Sequence, residues 1–292
     1  MGIDFTPSNS VVTVNGCHFR DFNTNSAASV IKINSMGADF EISECVFDNL
    51  ATAMPYAGIE VNAVQDLMIA DCNIIHCGID LCIEPPAGST VASVWANNTF
   101  FDTATYGIRI SDKNGGNVVR CRFEACWASS HTQYGVYIDT SGSGTVDGIT
   151  FIDLHAYLNG QDGLRCNGEN ITIEGGIFAN NMQAGISLAS GSDSVYILGV
   201  KSGAFSGLAG NKHGLFVGTG CTHIDILDNR FDANTTSSVL NGSDSSPSLR
   251  VARNIGYKTF AKGQATIPAG STSVVVYHGL DMAPSSTEVM LS

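Results

Sequence analysis

Tyr106-Gly-Ile-Arg-Ile110 and Tyr134-Gly-Val-Tyr-Ile138 are two copies of one phrase, a glycine followed by apolar, variable and apolar residues. The phrase recurs at Gly58-Ile-Glu-Val61, Gly78-Ile-Asp-Leu81, Gly163-Leu-Arg-Cys166, Gly185-Ile-Ser-Leu188 and Gly214-Leu-Phe-Val217. Val30-Ile-Lys-Ile33 and Ser238-Val-Leu240 are weaker copies at the two ends. The glycines stand 20, 29, 28, 28, 22 and 29 residues apart, the mark of a repeat architecture rather than of one globular core. A second phrase lies between the copies, as in Phe40-Glu-Ile-Ser-Glu-Cys-Val-Phe47 and Ile171-Thr-Ile-Glu-Gly-Gly-Ile-Phe178. It alternates apolar and variable residues, turns, and closes on a large apolar side chain.

Alternation with period two sends one set of side chains inward and the other outward. A unit this short cannot bury its own apolar face, so neighbouring units must stack into a continuous column. Stacked turns of chain give parallel strands about 4.8 Å apart. The fold class expected is therefore all-β: a right-handed parallel β-helix solenoid of nine to ten coils, followed by a short C-terminal β-hairpin module. Residues 1–10 read as a lead-in and 11–255 as the helix. Residues 256–292 read as the hairpin, built on Gly263-Gln-Ala-Thr-Ile267 and Ser271-Thr-Ser-Val-Val-Val-Tyr-His278 and cut short within a small domain.

Gly, at 32 of 292 residues, matches the many tight turns a coil needs. Charged residues are 14% of the chain and the formal charge is −13, which argues against nucleic acid and anionic membranes as partners, since both call for clustered Lys and Arg. No stretch reads as a membrane-inserting helix or a signal peptide. Of nine cysteines, Cys17, Cys45, Cys72 and Cys121 share one phase of the second phrase with Asn98 and Asn229, which predicts a ladder of stacked side chains. The odd count and the lack of Cys-x-x-Cys spacing favour reduced, buried thiols made in a reducing compartment over disulfides or structural zinc. Neither a metal nor an organic cofactor is expected.

The variable residue of each first phrase must face outward. Read one per coil, this column is Lys32, Glu60, Asp80, Arg109, Tyr137, Arg165, Ser187 and Phe216, with Asn62, Cys82, Ser111, Asp139, Asn167 and Ala189 two residues further on. Carboxylates beside guanidiniums and an aromatic ring suit a sugar chain, because carboxylates and Asn bind hydroxyls, Arg binds acidic substituents and Tyr offers a flat face. Glu60, Asp80 and Asp139 are the candidate catalytic residues, and Lys32, Asn62, Arg109, Tyr137, Arg165 and Asn167 the candidate substrate-binding ones. Glu60 and Asp80 on adjacent coils would have the spacing of a retaining glycosidase pair, Asp80 and Asp139 that of an inverting pair. Stacked opposite charges on a solvated face would give the same column without chemistry.

The two phrases together resemble the pectin-lyase-like right-handed β-helix superfamily over roughly 245 residues, a resemblance specific for fold and weak for activity. The tail from Gly263 to Leu280 resembles the module that follows the β-helix in bacteriophage tailspike proteins. That resemblance implies a homotrimer in the virion tail that binds, and by hydrolysis more than by elimination depolymerises, a bacterial surface polysaccharide. A non-catalytic adhesive fibre and a free, secreted lyase or glycosidase are the alternatives. Polygalacturonase-like enzymes carry Asn-Thr-Asp, Asp-Asp and Gly-His-Gly on successive coils. Here Gln161-Asp162-Gly163 and Lys212-His213-Gly214 fall at similar phases, but Gln183-Ala184-Gly185 replaces the acidic pair between them, and His213 reads as a turn or surface residue.

Overall fold

The computed structural model describes residues 3–5, 11–21, 28–34, 39–49, 54–242 and 249–257. Each turn of chain lays one strand on each of three parallel sheets. Sheet A runs over ten strands from Ile3–Phe5 to Ser237–Asn241, and it includes Ala57–Ala63, Ile79–Ile83, Tyr106–Ser111, Tyr134–Asp139, Leu164–Cys166, Ala184–Leu188 and His213–Val217. Sheet B follows a ten-strand path from Val12–Asn15 to Leu249–Ala252, with the short strands Thr90–Ala92 and Asn117–Val119 beside it. Sheet C has eight strands, from His18–Arg20 to Lys201–Ser202.

Eight coils therefore carry all three strands. The nine to ten coils read from the sequence count the rungs of sheets A and B, of which the last two meet the third face only through the single bridges Lys201↔Arg230 and Arg230↔Ile255. The helix also starts earlier than expected, because Ile3–Phe5, inside the supposed lead-in, pairs with Ile31–Asn34. The C-terminal hairpin lies outside the described residues.

The core is a set of stacks in register, such as Ile31–Ile59–Leu81–Ile108–Val136–Leu164–Ile186–Leu215, every member at 0% exposure. In sheet B, Phe123 and Phe151 stack with ring centroids 5.1 Å apart. All nine cysteines are free thiols and all but Cys17 are buried. Burial pushes the thiols of Cys72 and Cys126 up to about 12. The expected ladder exists at the turn from sheet B to sheet C, but its members are Cys17, Cys45, Cys72, Thr99, Cys126 and, further down, Asn229. Cys121 and Asn98 are not in it. Cys121-Arg122-Phe123 repeats the local pattern of Cys45-Val46-Phe47, yet Phe123 sits in sheet B and Phe47 in sheet C.

A second ladder explains the glycine that opens the first phrase from Gly107 onward. At the turn from sheet C back to sheet A the buried side chains of His131, Asn159, Asn181 and Asn211 and the half-buried one of Asn234 are hydrogen-bonded in file. Asn159 Nδ2 donates to Asn181 Oδ1 at 2.9 Å, and Asn181 Nδ2 to Asn211 Oδ1 at 2.9 Å. Each amide also donates to a backbone carbonyl, as Asn159 does to Ala128 and Asn181 to Ala156. The file occupies the space beside the first residue of sheet A. A Cβ added at Gly135 would lie 2.6 Å from the Gly163 carbonyl oxygen and 2.9 Å from Asn159 Nδ2. Gly135→Ala is therefore expected to cost about 1–3 kcal/mol, the usual penalty for overpacking. A urea midpoint within error of the unmodified protein's would disprove this account of the glycine.

Candidate functional site

The register of sheet A fixes which outward side chains share a column. Lys32, Glu60, Cys82, Arg109, Tyr137, Arg165, Ser187, Phe216 and Leu240 succeed one another on adjacent rungs. The expected column is thus correct on seven rungs and wrong at Asp80. Ile79 pairs with Ala57 and Tyr106, which sets Cys82 beside Glu60 and Arg109 and puts Asp80 level with Gly58 and Gly107. Asp80, not Gly78, holds the place of the phrase-opening glycine.

Asp80 is 0% exposed and its Oδ2 lies 3.0 Å from Nε2 of His131, itself fully buried. At the end of that rung Ala104 has no polar group to continue the ladder, and the Asp80 carboxyl supplies it from the start of the rung. Burial drives the Asp80 pKa well above the ordinary carboxylate range, and burial pushes His131 down to about 4. No glycan can reach Asp80, so neither proposed carboxylate pair that includes it exists.

The N-terminal half of the face is a tied network. Glu60 accepts hydrogen bonds from Lys32 Nζ at 2.8 Å, Ser29 Oγ at 2.5 Å and Asn62 Nδ2 at 3.0 Å. Burial alone would raise its pKa, but these donors hold it below the usual value. Glu84, absent from the sequence reading, meets Arg109 at 2.8 Å and accepts a hydrogen bond from the Tyr56 hydroxyl at 3.1 Å. The contact joins Arg109 Nη2 to Glu84 Oε1 as an ion pair without a hydrogen bond, and among the described residues Arg109 Nε has no hydrogen-bond partner. Lys32, Glu60 and Asn62 are brought together with one another as partners, and Arg109 is paired with Glu84. Further along, Asp139 is half-buried and turned onto the amide of Ser141, and Asn167 uses its side-chain oxygen to accept from the Thr140 amide. Asn167 is in this respect a turn cap rather than a sugar ligand.

The C-terminal half is open. Tyr106, Tyr134 and Tyr137 form a cluster with centroids 5.0–6.0 Å apart and rings within 28° of parallel. Arg109 lies over Tyr106 at 5.4 Å and Arg165 over Tyr134 at 6.0 Å. Next to the cluster is a shallow groove of about 300 Å³ lined by Gln161, Asp162, Arg165, Gln183, Ala184, Ser187, His213, Phe216 and Leu240. Burial raises the Asp162 pKa, against the pull of the Ala184 amide and of Arg165, which is 3.7 Å away. His213, two rungs below, is held down by burial and by Lys212. Asp162 and His213, noted in the sequence only for their likeness to the polygalacturonase pattern, stand in one column with Tyr106 and Tyr134, which no sequence argument picks out as candidates. The signal was in the residue before each glycine, which the register shows to be a column of its own.

Among the described residues no group of three or more His, Cys, Asp or Glu side chains is arranged to hold a metal ion, and no helix is long and apolar enough to cross a membrane. The right-handed β-helix region family model matches residues 1–131 and 126–275. No curated protein matches the chain in sequence. Among solved structures, the A-module of the Azotobacter vinelandii mannuronan C-5 epimerase AlgE6 is 14% identical with a TM-score of 0.56, over 84% of this chain and 77% of that one. The AlgE4 A-module of the same organism gives 14% and 0.55, over 80% and 72%. A double mutant of the periplasmic alginate epimerase AlgG gives 13% and 0.60, over 85% and 69%.

Proposed function

The chain belongs to the right-handed β-helix family, and from that premise we propose that it binds an acidic bacterial surface polysaccharide along the C-terminal half of sheet A, as a tailspike-like protein of a phage virion. The observation that carries the reading is the tyrosine cluster flanked by Arg109 and Arg165 and continued by the Asp162–Phe216 groove. Flat rings take the apolar face of a sugar, the Arg165 guanidinium takes a carboxylate or phosphate substituent, and Gln161, Gln183 and Ser187 take hydroxyls. The solved folds named above are epimerases of mannuronan and alginate. Those likenesses carry the fold alone, and the substrate class rests on the charges of this face. The apolar column Phe100, Trp127, His155 and Ile177 on sheet C, with the first two rings 5.8 Å apart, supports a homotrimer packed through that sheet.

A second reading, depolymerisation, is favoured by Asp162 and His213. A raised carboxyl pKa favours the acid form that can give a proton to a leaving oxygen, and a lowered imidazole pKa favours the neutral form that can accept one. Two rungs separate them by roughly 10 Å along the axis, room for a sugar residue between. The carboxylates of the N-terminal half, by contrast, are already spent on Lys32, Arg109 and Tyr56.

Titration calorimetry against a panel of capsular and lipopolysaccharide glycans tests the binding. Arg165→Ala is expected to weaken an acidic glycan at least tenfold, the loss of one charge-assisted contact, with an unchanged melting temperature. Equal affinity in the variant would sink the reading. Reducing-end release that disappears in Asp162→Asn while binding survives would establish cleavage.

A further inference from the structure

Sheet B carries an outward feature with a different charge character. Trp95 is 58% exposed and Met68, on the adjacent rung and in register with it, is 43% exposed. Around this apolar plate stand Glu41, next in the same column, and Asp39 and Asp66, neighbours in the column beside it. With Ser93 they line an open groove of about 410 Å³. Among the described residues no Lys or Arg lines it. Arg122, on the rung after Trp95, is folded back onto Glu124 at 2.8 Å. Among the described residues neither Asp39 nor Asp66 has an ion-pair partner, although like charges directly opposite one another in a sheet are destabilising.

We propose that this groove is a second saccharide site, specific for neutral, hydroxyl-rich sugars and separate from the acidic-glycan face of sheet A. An indole face offers a flat apolar plate whose natural complement is the C–H face of a pyranose ring. Ionised carboxylates only accept hydrogen bonds, and each can take hydroxyl donors from two positions of the same ring. Neutral sugars present both features at once, an apolar face rimmed by donors. Anionic glycans, nucleic acid and anionic membranes are repelled by three carboxylates with no cation among them. A second copy of the same face is disfavoured for the same reason, since a twofold contact would set these carboxylates against themselves.

The chain has two tryptophans, so Trp127→Phe leaves Trp95 as the only indole reporter. The probes are neutral hexasaccharides of glucose, mannose and galactose, with hexagalacturonate and a glucosamine hexamer for comparison. At least one neutral hexamer is expected to shift Trp95 emission saturably, and hexagalacturonate is not. In ligand-observed NMR, Trp95→Ala is expected to weaken that hexamer at least tenfold, the loss of one aromatic stacking partner, and Asp66→Ala several-fold. Trp95 is exposed, so its removal leaves the core intact. Arg165→Ala is expected to leave this binding unchanged, so failure here and failure of the sheet A reading are told apart. The proposal is overturned if no neutral hexamer gives a saturable response, or if Trp95→Ala binds as well as the unmodified protein. A response to the glucosamine hexamer alone, abolished by salt, would make the groove a cation site and overturn it equally.

Discussion

Asp80→Ala is expected to destabilise the protein by about 1–3 kcal/mol, the cost of leaving a buried acceptor unsatisfied, whereas Asp80→Asn, which keeps a donor in place, is expected to cost less. The difference follows from the direction of the ladder. Asn159 Oδ1 accepts from the backbone amide of His131 and faces its Nδ1 at 2.8 Å. Since the Asn159 amide nitrogen is committed to Ala128 and Asn181, Nδ1 must be the donor. A neutral His131 then presents a bare Nε2 to Asp80, and the proton between them belongs to the carboxyl. An asparagine at position 80 can donate in its place, but an alanine cannot. Urea denaturation of both variants measures this, and equal losses would mean an ion pair instead.

The same pair sets a pH dependence. In the unfolded chain Asp80 titrates near 3.8 and His131 near 6.5, while in the folded protein Asp80 is raised and His131 is lowered to about 4. The raised carboxyl contributes stability that is full below pH 3.8 and lost as pH climbs toward its folded value. The lowered imidazole contributes stability that is full above pH 6.5 and lost as pH falls toward 4. The two trends therefore oppose each other between pH 3.8 and 6.5. At any higher pH at which the folded carboxyl keeps its proton, stability falls with pH by up to about 1.4 kcal/mol per unit. That slope is expected to vanish in Asp80→Asn.

Asn181→Ala is the second large effect, expected at about 4 kcal/mol by summing the groups it strands. Asn181 Oδ1 accepts from both the backbone amide and the side chain of Asn159, and its Nδ2 donates to the Ala156 carbonyl and to Asn211. All of these partners are buried, and none has solvent to turn to. Hydrogen exchange at the Asn159 amide, which lies 3.2 Å from Asn181 Oδ1, should accelerate together with the drop in the urea midpoint. A loss below about 1 kcal/mol would show that the ladder only fills space.

The fold was legible because alternation and a glycine phrase survive stacking unchanged, and the outward column followed from the same alternation on seven rungs. It failed at Gly78-Ile-Asp-Leu81 for a physical reason. The fit of a phrase outweighed its short spacing of 20 residues, while the chain had put a side chain where its other coils have none. Cys121 failed differently, because two faces of the solenoid use the same Cys-x-Phe pattern. The ladder went unread although Asn159, Asn181, Asn211 and Asn234 recur at 22, 30 and 23 residues, in step with the glycines. Polar residues in a turn look solvated until the structure shows the turn folded inward. The open groove depends on how Asp162 and Arg165 sit beside Gln183, Ser187 and Phe216, and a column of letters does not contain that.

The file of amides also has a heading. Every member from Asn159 onward hands a hydrogen to the next and takes one from the last, so any rung in the interior of the file is interchangeable with its neighbours. A duplicated coil inserted between Asn159 and Asn211 would find a donor above and an acceptor below and would lengthen the rod without a defect. One inserted between Asp80 and His131 would separate a proton from its only acceptor. Gain and loss of length in descendants of this chain should therefore be concentrated on one side of His131, and the buried acid marks the fixed end of the file, from which its rungs can multiply.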